Sequence, residues 1–351
     1  MSTELFKPGM RFFKGNTHAH STASDGRLSP EAVFETYRAA GYDFLALTDH
    51  WRVCAARDYR GMLVIPGVEY DFSFPNQVLH LVCLFRDAGD AADIARGMSH
   101  TDVIRHVNRA GGVPIAAHPA WSLNTPEFLG TLDGVEISEV YNTMSDEPFN
   151  APRGNSESLL DVTAANGKIY RLVAADDSHP YAGEQCVSWT MVQAEALSVS
   201  GIIDALRAGR FYATQGPAFY GITVGDDTIA VETSPVSRVT FCSNLNWVED
   251  RCRTGSGLTR EVYRVRPGER FGRAGENHAA AAVARIRAEV DDPVRSTDHV
   301  HVVLHDHERV PGCQQRIERL QELLYIEEMQ SRGRLVEQEE DLFALRLAPA
   351  Q

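Results

Sequence analysis

The sequence predicts an α/β fold in which strands and helices alternate, followed by a small antiparallel β unit. Three observations predict it. From residue 11 to about 215, short apolar runs are separated by stretches of helical periodicity, the pattern of parallel β/α construction. After Gly216 the chain turns to period-2 alternation with turn residues between, as in "FYGITVGDDTIAVETSPVSRVTFCSN" and "TREVYRVRPG". From about residue 271 it becomes polar and helix-like, "GENHAAAAVARIRAEV" and "CQQRIERLQELLYIEEMQSRGRLVEQEEDL", around a strand-like "HVHVVLH". The expected division is therefore 11–215, an alternating unit; 216–270, a small β appendage; and 271–351, a mixed, mostly helical tail.

The elements follow in order. "FFKGNTHAH" reads as a strand running into a loop. "SPEAVFETYRAAG" reads as a helix with Ser29 at its N-cap, Pro30 at its first position and Gly41 just past its end. "YDFLALTDH", "GMLVIPGVEY" and "HLVCLF" are strands. "SHTDVIRHVNRAGG" is a helix whose Val103, Ile104 and Val107 share a face and whose end is closed by glycines. "VPIAAHP", "GVEISEV" and "IYRLVAADDSH" are further strands, and "SVSGIIDALRAG" is a helix after them.

Composition narrows the function classes. A formal net charge of −14 over 351 residues argues against a general nucleic-acid-binding surface, because phosphate backbones reward clustered Lys and Arg. It leaves room for an anionic substrate, since bound cations reverse the local sign of a site. The apolar runs, such as "LVCLF", fall far short of a membrane span, and the first residues carry no apolar signal core. Six cysteines are scattered without a CxxC pair, which fits a reducing cytoplasm.

The informative feature is where the histidines and acids fall. His18 and His20 follow the first predicted strand, with Asp25 close behind in "NTHAHSTASDGRLSP". His50 ends "LTDH", Glu69 ends "PGVE", His118 ends "IAAH", and Asp177 and His179 end "LVAADDSH". His80 opens "HLVCLF" instead, as expected of a strand of opposite direction or a loop reaching the same mouth. Singly, each has an ordinary explanation as a cap, a strand end or a polar turn. Together they sit where the C-terminal ends of parallel barrel strands converge. So many imidazoles and carboxylates gathered at one mouth would be costly to desolvate without metal. Imidazole with carboxylate and no thiolate suits Zn, Mn or Fe.

In this order, "HAHSTASDG", "TDH", "GVEY", "HLVCLF", "AHP" and "DDSH" resemble the PHP (polymerase and histidinol phosphatase) family of metal-dependent hydrolases. "EVYN" and "LRAGRFYATQGP" resemble its carbaryl-hydrolase-like branch, and the likeness runs from about residue 11 to about 270. The resemblance implies a distorted (β/α)7 barrel over 11–215 with two or three divalent ions at its mouth. It implies as ligands His18, His20, Asp25, His50, Glu69, His80, His118, Asp177 and His179.

On that basis Glu69 is the candidate bridging carboxylate, and Asp177 and His50 are candidates for orienting the nucleophile. His179 is a ligand or the acid that protonates the leaving oxygen. Asp49 and Glu139 are candidates for orienting ligands, Asn142 for touching substrate, and Arg210 for binding an anion. A second histidine cluster, His299, His301, His305 and His307, is expected to be a polar edge strand.

The expected activity is hydrolysis of a small phosphomonoester, a phosphodiester or an oligonucleotide end by a metal-activated hydroxide. The alternatives are a carboxyl or carbamate ester metallohydrolase and a non-catalytic metal-binding module. A small-molecule phosphate ester is the expected partner, because an acidic surface repels long nucleic acids.

Overall fold

The computed structural model describes residues 3–7, 9–243, 245–269 and 286–289. The chain runs through β1 (Thr3–Glu4), β2 (Phe12–Asn16), α1 (Pro30–Ala39), β3 (Phe44–Leu47), β4 (Arg57–Tyr59), β5 (Met62–Ser73) and β6 (Val78–Leu84). It continues through α2 (His100–Arg109), β7 (Val113–Ala116), α3 (Pro126–Gly130), β8 (Ile137–Asn142), α4 (Glu157–Ala165) and β9 (Arg171–Ala175). β10 (Trp189–Gln193), α5 (Val199–Arg207), β11 (Phe211–Thr214), β12 (Phe219–Val224), β13 (Thr228–Phe241), β14 (Cys252–Arg264) and β15 (Ile286–Glu289) complete it.

Ten strands form one curved, nearly closed sheet in the order β11-β10-β2-β3-β5-β6-β7-β8-β9, with β4 on β5. β2, β3 and β5 are parallel, as are β7, β8 and β9. β6 runs antiparallel to both β5 and β7, the opposite direction that His80 at the head of "HLVCLF" implied. The fold is thus α/β and barrel-like, but it departs from regular alternation. Between β3 and β5 the chain makes only the short β4, with no helix.

Both faces of this sheet are buried, which explains its near-continuous apolar runs. In β3, Phe44 and Ala46 join the inward cluster, while Leu45 and Leu47 pack with Val33, Phe34 and Tyr37 of α1. α1 starts as expected: Ser29 caps it by accepting from the Ala32 amide at 3.3 Å, and Gly41 follows with φ 76°. α2 is capped by Ser99, which accepts from the Asp102 amide, and it buries Val103, Ile104 and Val107.

α5 closes the bottom of the barrel. Ile202, Ile203 and Leu206 pack on the inward-facing residues, each worth about 1.5–3 kcal/mol of burial. Arg207 donates to the carbonyl of Gly112, just before β7, and Arg171 at the start of β9 donates to the Arg207 carbonyl. The helix therefore lies against the N-terminal ends of the parallel strands.

Between β9 and β10 there is no ladder among the described residues. Side chains close this seam instead. Buried Thr190 of β10 donates to the Ala174 carbonyl at 3.0 Å and accepts from the Ala174 amide at 3.2 Å. Asp176, just past β9, accepts from the amides of Cys186, Val187 and Ser188 at 2.8, 3.0 and 2.7 Å, and from Asn16 of β2 at 3.1 Å. Burial pushes the Asp176 carboxyl up to about 7, against the pull of these donors.

The second sheet is antiparallel, ordered β1-β12-β13-β14 with β15 on β13. Its core includes Val231, Val239, Phe241 and Tyr263, and it is continuous with Tyr212 of β11. The period-2 texture after Gly216 anticipates β12 to β14; the N-terminal strand β1 that joins them is an addition. Apart from β15, the tail from 271 onward, with the cluster His299 to His307, lies outside the described residues. No helix among the described residues is long and apolar enough to cross a membrane.

Candidate metal centre

The site begins where β2 and β9 end. The Asp177 amide donates to the His18 carbonyl at 2.9 Å and the His20 amide to the Ser178 carbonyl at 3.0 Å, a parallel bridge at Ala19 and Ser178. The alternation of an extended chain sends His18 and His20 to the same side. There their Nε2 atoms stand 3.1 Å apart. Glu69 Oε2 lies 3.2 Å from His18 Nε2 and 3.1 Å from His20 Nε2, and Asp177 Oδ1 lies 3.0 and 3.1 Å from the same two atoms.

All four side chains are buried. Asp177 Oδ1 makes no hydrogen bond of proper geometry despite its burial. Tetrahedral donors held about 2.0–2.2 Å from a dication stand roughly 3.3–3.6 Å from one another, close to what these four atoms do. A buried oxygen without a proton to accept, facing two imidazole nitrogens, fits a cation better than it fits a hydrogen-bond network.

Two further groups adjoin this one. His20, Asp25, His50 and His179 gather on the solvent side, where Asp25 Oδ2 lies 3.4 Å from His179 Nε2 and 3.7 Å from His50 Nε2. His50, Glu69 and His80 form the third group, with Glu69 Oε1 2.8 Å from His80 Nδ1. Glu69 Oε1 also lies 3.4 Å from His118 Nε2. Glu69 thus faces imidazoles with both of its oxygens, as a shared carboxylate must. All nine expected ligands meet at one mouth.

One detail differs from expectation. Glu69 does not end its strand: β5 continues to Ser73, paired with β6 as a two-stranded arm, so Glu69 lies in mid-strand. The arm brings His80 opposite Asp71 and within reach of Glu69.

The ligands are held from behind. Glu139 Oε1 pairs with His18 Nδ1 at 2.8 Å, and because a carboxylate only accepts, that nitrogen carries the proton and Nε2 presents a lone pair. Glu139 Oε2 accepts from the His118 amide and from Asn142 Nδ2, both at 2.8 Å. Asn142 is buried and also donates to Asp177 Oδ2 at 3.3 Å, so it braces two carboxylates. Asp49 accepts from the Ser21 amide at 2.8 Å and from both the amide and hydroxyl of Ser24, tying down the turn that carries His20 and Asp25. Gly26 completes that turn; a Cβ there would lie 2.6 Å from the His20 carbonyl carbon. His118 and Asp177 adopt left-handed φ values of 30° and 55°, which aim their side chains inward.

Burial opposes charge on His18 and His20, yet the carboxylates of Asp177 and Glu69 outweigh it and hold both imidazoles well above the usual range. The same pairing keeps Glu69 and Asp177 below the usual carboxylate range despite burial. His50 goes the other way, because burial lowers it. The surrounding carboxylates thus favour positive charge at this spot, which a dication bound by these lone pairs would supply.

Arg210 is not brought to the site. Its carbonyl accepts from the Gln193 amide at 2.8 Å, and Gln193 pairs with Phe12, the first residue of β2. Arg210 therefore lies at the end of the barrel opposite His18, where its Nε donates to the Gln193 carbonyl at 3.4 Å. Three residues at the mouth were not anticipated. Asp71 Oδ1 lies 3.6 Å from His50 Nδ1 and accepts from Trp51 Nε1 at 2.5 Å. The Trp121 ring packs edge-on to His118 and His80 at 4.9 and 5.7 Å. Period-2 spacing from Glu69 along one strand was the available signal for Asp71.

No family model matches the sequence. Over 123 residues the chain is 32% identical to a 3′,5′-nucleoside bisphosphate phosphatase of Chromobacterium violaceum, a match taking in 33% of this chain and 40% of that protein. Over 78 residues it is 37% identical to a 5′-3′ exoribonuclease of Haemophilus influenzae, 20% of this chain and 28% of that one. The chain thus spans less than half the length of either curated relative.

With the ligand set assembled, the likeness stands. The chain resembles the PHP metal-dependent hydrolases. Among solved structures, a two-domain protein of Bacteroides vulgatus containing a predicted PHP-like metal-dependent phosphoesterase aligns over 74% of this chain and 87% of its own, with TM-score 0.46 and 19% identity. An amidohydrolase of Chromobacterium violaceum, with bound sulfate and no metal, aligns over 48% of this chain and 89% of its own, with TM-score 0.36 and 17% identity.

Proposed function

We propose that the chain is a metal-dependent phosphoesterase that hydrolyses a small phosphomonoester, a phosphodiester or an oligonucleotide end. The observation that carries this reading is the buried set His18, His20, Glu69 and Asp177, with mutually facing donor atoms and an Asp177 oxygen that lacks a hydrogen bond. The names of the curated relatives, a bisphosphate phosphatase and an exoribonuclease, support phosphate esters as the substrate class. Residues 11–215 are the catalytic barrel in this reading, and 216–270 an appendage.

Two or three divalent ions, of Zn, Mn or Fe, suit the donor types and the three adjoining groups. Such ions supply a lowered pKa for an attacking water and a Lewis acid for the phosphoryl oxygens. The chain's own residues do the rest. Glu139 fixes the His18 tautomer, and Glu69 ties the buried group to the His80 and His118 side. Asp177 and His50 orient the nucleophile. His179, its Nδ1 2.6 Å from the Asp177 carbonyl and its Nε2 turned to half-exposed Asp25, is in this reading a further ligand or the acid that protonates the leaving oxygen. The cysteines among the described residues are joined in no disulfide, which suits a reducing, cytoplasmic setting.

The test starts with metal content per chain, by elemental mass spectrometry, on protein produced with Mn, Fe and Zn present and purified without chelator. Two or three ions are expected, lost in the His18→Ala, His20→Ala double variant. The loaded protein is then offered p-nitrophenyl phosphate, bis(p-nitrophenyl) phosphate and p-nitrophenyl acetate. Turnover of a phosphate ester is expected. Turnover of the acetate alone would replace this reading with a carboxyl esterase, and a folded protein without ions would overturn it.

A further inference from the structure

Beside the candidate metal centre lies an open cleft of about 340 Å³, walled by Trp51, Phe72, Phe74 and His100 and bordered by Asp71 and Arg96. None of the nine candidate ligands lines it. Its rings are held in place by edge-to-face contacts: Trp51 with Phe72 at 6.1 Å, Phe74 with His100 at 5.5 Å, and Phe74 with Phe128 at 5.1 Å. The exposed Arg96 guanidinium lies over the Trp51 indole, its central carbon 4.7 Å from the ring centroid. A guanidinium plane backed by an indole offers its other face to a further flat ring.

The cleft is joined to the ligands through one carboxylate. Asp71 Oδ1 accepts from Trp51 Nε1 and stands 3.6 Å from His50 Nδ1. Glu69, Asp71 and Ser73 share one face of β5 while Phe72 alternates to the other, so the cleft wraps the edge of the arm, and its Asp71 and Ser73 border stands one and two strand repeats, each about 7 Å, from the candidate ligand Glu69. A phosphate held at the ligands would leave the organic part of its ester within reach of the aromatic wall.

We propose that this cleft is a binding site for a flat aromatic ring in the organic part of the substrate, stacked on the Arg96–Trp51 pair and against Phe74. The proposal rests on the phosphoesterase reading for its connection to chemistry, but the binding of a ring stands by itself. The ring is a nucleobase, set off from the phosphate by a sugar, or a simple aryl group. The strand spacing favours the former.

Ring binding is measured first, without reference to turnover. Saturation-transfer NMR on the full chain as purified uses adenosine and 2-naphthol as probes, with ribose as the ring-free control. Transfer to ring protons is expected, reduced severalfold in Arg96→Ala and in Phe74→Ala. Because Phe74 packs into the wall, the exposed Arg96 supplies the variant that tests the site without burdening folding. No transfer to either probe, or transfer undiminished in both variants, would overturn the proposal. Transfer to adenosine alone assigns a nucleobase, and transfer to 2-naphthol as well assigns any aryl ring.

Turnover comes second. The kcat/KM ratio for adenosine 5′-monophosphate over glycerol 2-phosphate is expected to fall about tenfold in Arg96→Ala, the scale of one lost stacking contact. An unchanged ratio in an active enzyme would overturn the proposal and leave the phosphoesterase reading intact. Hydrolysis of neither monoester and of no phosphodiester, bis(p-nitrophenyl) phosphate included, with ring binding present, would overturn the phosphoesterase reading and leave the ring site standing.

Discussion

Glu139 and His18 form a carboxylate–imidazole pair at 2.8 Å with both side chains fully buried. The pair sets which His18 nitrogen faces the candidate metal centre, and the second Glu139 oxygen holds the His118 amide. Glu139→Gln keeps the shape and removes the charge. A 10–100-fold loss of metal affinity or of turnover is expected, the usual cost of losing such an orienting partner. Competition with a chelator of known affinity, read together with the rate, checks it.

Gly26→Ala presses a methyl group against the His20 carbonyl, 2.6 Å away at its ideal position. The neighbour is backbone, so the turn itself must move. A destabilisation of about 1–3 kcal/mol is expected, with a loss of ion uptake at the His20, Asp25, His50 and His179 group. Thermal melts and metal content of the same preparation check the two effects together.

Ile202→Ala acts at the other end of the barrel. It opens a cavity under the sheet and is expected to cost about 2–5 kcal/mol. Turnover per folded molecule should stay at the wild-type level, because Ile202 lies on the floor of the barrel, away from the ligands. Denaturant melts beside active-site titration separate stability from chemistry.

Cys54 tests the electrostatics away from the ligands. Burial pushes its thiol up to about 11. At pH 8 only about one part in a thousand is thiolate, the reactive form. Alkylation by iodoacetamide should be slow there and rise about tenfold per pH unit until the pH nears that value. Rapid labelling of Cys54 at pH 7, located by peptide mass spectrometry, would contradict the burial.

Chelation is expected to lower the melting temperature. Any ion that binds the native site and not the unfolded chain stabilises by mass action, about 4 kcal/mol at a thousandfold excess over its dissociation constant. Melts with and without chelator, repeated on the His18→Ala, His20→Ala double variant, check it. The difference should vanish in the variant.

Much of this was legible in the residues. The Ser29–Pro30 start of α1 and the Val103, Ile104 and Val107 face of α2 follow from local capping and periodicity, and the structure has both. The convergence of His18, His50, His118 and Asp177 followed from their places at strand ends. What escaped depends on contacts distant in sequence. That β5 runs past Glu69 to Ser73 is decided by its pairing with β6, so Asp71 and the cleft beside it were hidden. Arg210 precedes a strand, but a strand's spacing does not say at which end of the barrel it starts. Asn142 carries a type of side chain common at substrate sites, and only the hydrogen bonds to Glu139 and Asp177 show it braces other groups.

The seam between β9 and β10 gives the candidate site a mechanical meaning. Thr190 and Asp176 fasten the last strand by side chains where a ladder of amides would otherwise run. Such a joint opens by breaking a few bonds at once, so the amides of 171–175 should exchange with deuterium ahead of those in β3 and β5. His18 and His20 lie on one lip of this joint, Asp177 and His179 on the other, and there the two backbone bonds of the Ala19–Ser178 bridge join them. Cations held across the joint, one by His18, His20 and Asp177 and another by His20 and His179, would act as rivets through both lips, and their loss would be felt first as breathing of the barrel wall.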